Sequence, residues 1–271
     1  MFEWRNILRG MAMGASDIIP GVSGGTIALV LGIYHRLIAA VNNFFSRRWK
    51  EQLGFFIPLG IGIGLAVFSL SSMLEWLLAS YPQPTFFLFL GLILGTIPFL
   101  LREADYKRAF TGKHYVILAA AAVLVILSGM FRGDEGAVMQ SLSFSDYLLL
   151  FFSGWLASTA MILPGVSGSF ILLILGVYST VIHAVSSLYL PVLLILGAGI
   201  VLGIAIMSKF LHYLLRYHPT GTYAVMTGLL IGSLFVVFPG LGAGFAQLLL
   251  SIVTFLTGLL LAFILGKIER S

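Results

Sequence analysis

The segment PGVSGGTIALVLGIY, Pro20 to Tyr34, returns as PGVSGSFILLILGVY, Pro164 to Tyr178, with ten of fifteen positions identical at an offset of 144 residues. Both copies sit inside apolar runs. A Pro-Gly-x-Ser-Gly turn interrupts a helix. At membrane depth, interrupted backbone is tolerated only beside protein or a water-filled cavity, because lipid offers the freed peptide groups no hydrogen bonds. Two such breaks, one in each half of the chain, point to a binding site.

The chain around them is 59% apolar and 9% charged, with mean hydropathy +1.07. A soluble domain carries about 25% charge, so the composition specifies an all-α integral membrane protein. The absence of cysteine removes disulfides, thiolate metal sites and cysteine nucleophiles. The five histidines, His35, His114, His183, His212 and His218, are scattered rather than clustered, so no metal site is expected. No cofactor and no nucleic-acid partner is expected either. The opening MFEWRNILRG carries charge and Trp with no cleavable apolar core, which argues against a signal peptide.

Six apolar runs are long enough to span a bilayer, near 55–79, 85–101, 114–130, 190–215, 221–238 and 244–266. The repeat extends into them. LEWLLASYPQPTFFLFLGLILGT from Leu74 aligns with LHYLLRYHPTGTYAVMTGLLIGS from Leu211 at an offset of 137, matching Pro82 with Pro219, Thr85 with Thr222, Gly91 with Gly228 and Gly95 with Gly232. Each half therefore reads as one broken segment followed by three spans. The first half covers 1–143 with its break in 2–42; the second covers 144–271 with its break in 146–186.

Charge decides how the broken segments lie. If each is a re-entrant hairpin that enters and leaves on one side, fourteen of the fifteen Lys and Arg residues fall on one face with both termini, and only Arg132 falls on the other. Cytoplasmic loops carry that excess, so both termini are expected in the cytoplasm. A full span instead of a hairpin would separate Arg47, Arg48 and Lys50 from the basic amino terminus. Three spans per half is an odd number, so the second half is expected to be inverted relative to the first, with the hairpin tips meeting near mid-depth.

At each tip a half-helix begins with unpaired backbone N–H groups, an environment suited to an anion such as phosphate. Gly24, Gly25 and Gly168 permit close approach, and Ser23, Thr26, Ser167 and Ser169 either cap the half-helix or offer hydroxyls to a ligand. Asp17 lies three residues before Pro20. A carboxylate there costs about 2.5 to 3.5 kcal/mol to insert, which marks it for charge pairing, for coupling to a proton or sodium gradient, or for a local hydrogen bond in the turn. Its counterpart is Met161. Arg9, on the entering arm at roughly 15 Å from the tip, is either a phosphate contact or an interfacial anchor. Glu75 and Lys209 lie at nearly corresponding depths, as a pair across the pseudo-twofold or as plain helix-end charges. Neither break has a histidine or an acid-base pair beside it apart from Asp17, which disfavours an enzyme.

The runs Arg9 to Tyr34, Leu163 to Tyr178 and Tyr217 to Leu234 closely resemble the bacterial polyprenyl-phosphate (undecaprenyl-phosphate) translocases of the PopT type, long catalogued as a domain of unknown function. The resemblance runs over nearly the whole chain. It implies a multi-pass inner-membrane transporter that returns undecaprenyl phosphate to the cytoplasmic leaflet for cell-envelope polymer synthesis. Carried onto this chain, the family's hairpin motifs fall on Asp17, Pro20, Gly21, Ser23, Gly24, Gly25 and Thr26, and on Pro164, Gly165, Ser167, Gly168 and Ser169. Ser169 and Phe170 replace Gly25 and Thr26 in the second copy, so the first hairpin is expected to dominate ligand contact. A secondary transporter of a small anion and an integral-membrane lipid-phosphate enzyme are the competing readings. Gly-rich span surfaces serve internal packing and a homodimer equally well.

Overall fold

The computed structural model describes residues 2–17, 23–130, 138–139, 142–241 and 244–268. Every regular element among them is helical. In the first half these are α1 (Arg5–Asp17), α2 (Gly24–Val30), α3 (Tyr34–Phe44), α4 (Trp49–Ser80), α5 (Pro82–Glu103), the short α6 (Tyr106–Ala109) and α7 (Gly112–Met130). The second half supplies α8 (Phe144–Ile162), α9 (Gly168–Ile174), α10 (Tyr178–Ser186), α11 (Leu190–Tyr217), α12 (Pro219–Val237) and α13 (Phe245–Ile268).

Helices α4, α5, α7, α11, α12 and α13 cover the six apolar runs. Pro82 and Pro219 open α5 and α12 after a single non-helical residue, Tyr81 or His218. Proline suits a first helical turn, where its missing N–H has no partner to lose. Among the described residues seven helices can cross a membrane by length and composition, the seventh being α8 with 19 residues, which the sequence places as the arm of a hairpin. Its extra length has a simple place: the residue aligned with Arg5, where α1 begins, is Leu149, so five residues of α8 precede it.

Glycines set the helix pairings. A Cβ on Gly10 would collide with the carbonyl oxygen of Leu59, and one on Gly154 with that of Leu196. Gly62 sits in the same way against Ile7, and Gly199 against Phe151. These contacts lock α1 to α4 and α8 to α11, and each residue maps onto its counterpart at the offsets read from the sequence. The rule repeats across the halves: Gly91 abuts Phe255 and Gly228 abuts Leu118, packing α5 on α13 and α12 on α7. Backbones that approach this closely gain van der Waals contact that lipid cannot replace. In all four pairs the contacts advance together along both chains, Gly91 to Phe255 and then Gly95 to Leu259 for example, so the paired helices run parallel. The main core lies where α2, α3, α4, α5 and α12 converge, around Tyr34, Phe55, Ile93, Met226 and Leu230.

Candidate functional site

The two breaks touch. Ser23 adopts extended backbone and caps α2, its Oγ accepting the Gly25 N–H at 3.2 Å and donating to the Met161 carbonyl at 3.4 Å. One turn on, Thr26 Oγ1 accepts the N–H of Gly165 at 3.0 Å. Gly165 lies inside the second break, and its peptide N–H has left the helical ladder. A buried N–H without a partner is costly, so a side chain from the opposite half completes the turn. Gly165 itself has φ +86°, and a Cβ there would come within 2.8 Å of the Leu229 carbonyl, so both conformation and space call for glycine.

The joint continues through Tyr34, the last residue of the first repeated phrase. Its phenol donates to the Ile162 carbonyl at 2.9 Å, satisfying the carboxyl end of α8. Next to it, His35 Nε2 and Tyr223 Oη are 2.7 Å apart, tying α3 to α12. The carbonyls of Met161 and Ile162 lie 3.2 and 3.3 Å from where a Cβ on Gly25 would stand. The amino end of α2 is thus covered by the carboxyl end of α8, and Ser23, Gly24, Gly25 and Thr26 are all buried.

The second break is looser. Ser167 precedes α9 without capping it; its Oγ instead meets Ser169 Oγ at 2.8 Å. Ser167 and Gly168 are half-buried and Ser169 is exposed. Beside them a small hollow is lined by Ser128 of α7, Ser233 of α12, and Gly165, Ser167 and Phe170. Ser128 Oγ donates to the Val125 carbonyl at 2.7 Å and Ser233 Oγ to the Leu230 carbonyl at 2.8 Å, so of the three lining serines Ser167 alone faces a side-chain partner, Ser169. Ser128 and Ser233 were not singled out in the sequence; Ser233 aligns with Thr96, but no composition cue separates it from other helix serines.

The remaining site residues scatter. Arg9 donates to Asn6 Oδ1 at 3.0 Å, and the fully buried Asn6 donates in turn to Glu3 at 3.0 Å. Glu3 pairs with Arg36 at 3.2 Å, and Arg36 also reaches Gln52 Oε1 at 2.8 Å and lies over the Phe55 ring. Arg9 belongs to this network, which fastens α1, α3 and α4 together at the start of the first arm. Lys209 is exposed on α11. Asp17 closes α1 and Glu75 lies within α4, but their side chains, like Pro20 and Gly21, fall outside the described residues.

Comparison with known proteins converges on one group. Residues 13–244 match the family described as VCA0040-like, undecaprenyl phosphate translocase-like. A polyprenyl-phosphate transporter of Staphylococcus aureus is 45% identical over 98% of this chain and 97% of its own length. A polyprenyl-phosphate transporter of Vibrio cholerae is 36% identical over 86% of this chain and 76% of its own. These names describe transport rather than catalysis. No solved structure matches. A shared family profile over most of the length, joined to identity of this order, places the chain in the undecaprenyl phosphate translocase-like family.

Proposed function

We propose that this protein carries undecaprenyl phosphate, or a polyprenyl phosphate like it, from the outer to the cytoplasmic leaflet of the bacterial inner membrane. The site is the joint between the two breaks, and the halves rock about it as inverted repeats. The names of the relatives support the substrate class. The Thr26–Gly165 joint is the observation that carries the mechanism, because it brings hydroxyls and irregular backbone from both halves to one place.

Helix directions support inversion. α5 runs parallel to α13, and α13 follows α12 across a short turn, so α12 runs against α5, its own counterpart. Lengths support re-entry. At 1.5 Å per residue, the 13 residues of α1 reach about 20 Å, short of the roughly 30 Å hydrocarbon core. The amino terminus also returns to the foot of α4, where the Glu3 N–H donates to the Gly54 carbonyl at 3.1 Å, so the first broken segment starts and ends on one side. Fourteen of fifteen basic residues on that side make it cytoplasmic.

In the present arrangement the second set of donors, Ser167, Gly168 and Ser169, is accessible, and the first, Ser23, Gly24, Gly25 and Thr26, is covered by α8. A phosphate arriving from outside meets the second set. Rocking that lifts α2 from α8 exposes the first set to the cytoplasm. Arg9, with Arg36 beside it through Glu3, offers positive charge along that exit. Asp17, Glu75 and Lys209 are the groups through which a proton or sodium gradient would be coupled.

The test is leaflet exchange of labelled undecaprenyl phosphate in proteoliposomes, run in parallel with uptake of labelled inorganic phosphate. The reading expects protein-dependent lipid exchange without anion uptake, slowed by Ser167→Ala and by Arg9→Ala. Anion uptake without lipid exchange would favour the small-anion transporter, and phosphate release from the lipid would favour an enzyme.

A further inference from the structure

We propose that an apolar groove between α4, α5 and α13 receives the isoprenoid chain of the transported lipid, taking the units nearest the phosphate. The proposal rests on the translocase reading. Ala15, two residues before the end of α1, forms the groove's inner end beside the first break; Leu77, Leu88 and Phe89 line it, and Met73 and Leu250 stand half-exposed at its side. Its volume is about 430 Å³, the size of a pocket for one drug-sized molecule and too small for a whole long-chain lipid. Only the proximal part of a chain fits, with the rest left in the bilayer.

The wall is apolar by construction. Thr85 and Thr254 border the groove, yet Thr85 Oγ1 donates to the Tyr81 carbonyl and Thr254 Oγ1 to the Pro84 carbonyl, each at 2.7 Å. Both hydroxyls are spent on backbone. At the rim Trp76 and Tyr81 pack edge to face with centroids 5.6 Å apart, the residue types that gather at the headgroup level. On the orientation proposed above, that rim lies toward the outer leaflet and Ala15 lies deep.

The aligned surface of the other half is built differently. The position aligned with Leu250 is Lys113, so the counterpart wall is not apolar throughout.

Full-length protein in proteoliposomes tests this with leaflet exchange of undecaprenyl phosphate. Met73→Trp and Leu250→Trp fill the groove from its exposed side, and Phe68→Trp and Leu260→Trp place the same bulk on exposed positions of α4 and α13 outside it. The expected result is about a tenfold slower exchange for the two groove variants with less than a twofold change for the two controls. Equal rates for groove and control variants overturn the groove while leaving the translocase reading intact; failure of the parent protein to move the lipid overturns that reading instead. A second measurement does not depend on the variants. An undecaprenyl phosphate with a photoreactive group on its first isoprene units should label peptides of α4, α5 and α13, and labelling confined to α10 and α11 would contradict the assignment.

Discussion

The start of α2 is buried against the other half of the molecule, whereas the start of α9, at Ser167 to Ser169, is half-exposed. Ser23, Thr26, Tyr34 and His35 reach Met161, Gly165, Ile162 and Tyr223, four contacts from one hairpin into the opposite repeat. Three of these partners, Met161, Ile162 and Gly165, lie at the end of α8 and in the second break, while α9 and α10 pack chiefly on α8 and α11 of their own repeat. Nearly the same phrase thus does two jobs. The difference follows from the residues that differ: Thr26, whose hydroxyl reaches across, stands where the second copy has Phe170, and His35 stands where it has Ser179.

That contrast can be broken at several strengths. The largest effect is expected where the halves are alike. Gly91→Leu and Gly228→Leu each drive a side chain into a facing carbonyl, and each should destabilise the protein by about 3 kcal/mol or more, by equal amounts, in thermal unfolding in detergent. Unequal losses would show that the two crossings are not equivalent.

The next effects should be one-sided. Thr26→Val strands the Gly165 N–H and should cost about 2 kcal/mol, whereas Phe170→Leu at the aligned position should cost less than about 1.5 kcal/mol, as a conservative apolar exchange does. Tyr34→Phe frees the Ile162 carbonyl and should cost about 1 kcal/mol, while Tyr178→Phe is expected to stay within about 0.5 kcal/mol of the parent. Chemical denaturation of the purified protein reads both pairs. The smallest stability change is expected for Ser167→Ala, because Ser167 caps nothing, against about 1 kcal/mol for Ser23→Ala, which removes a cap. If Ser167→Ala lowers transport without lowering stability, the open break is marked as the ligand-facing one.

Much of this frame was legible in the sequence, for physical reasons. Spans show because lipid demands apolar length, and Pro82 and Pro219 mark where α5 and α12 start. The breaks show because a Pro-Gly-x-Ser-Gly turn has no other use within an apolar run. The aligned pair Gly91 and Gly228 marks two of the tight crossings, since only glycine allows a carbonyl so close. The joint itself was not legible. Tyr34 to Ile162 and His35 to Tyr223 are pairings 128 and 188 residues apart, and neither leaves a periodic signal. Arg9 illustrates the same limit: its charge suggested phosphate, and it donates to Asn6, a buried partner that helix periodicity does not mark. The expectation that the first hairpin would dominate ligand contact rested on its extra polar residues, and in the structure Thr26 spends its hydroxyl on the second break.

The most direct measurement is the rate at which undecaprenyl phosphate crosses between proteoliposome leaflets with the parent protein and with Thr26→Val. The parent should accelerate exchange over protein-free vesicles. Thr26→Val, by unfastening the joint, should lower the rate about tenfold, the equivalent of roughly 1.4 kcal/mol. Exchange no faster than in protein-free vesicles, or an identical rate for Thr26→Val, would contradict a translocation site built where the two breaks meet.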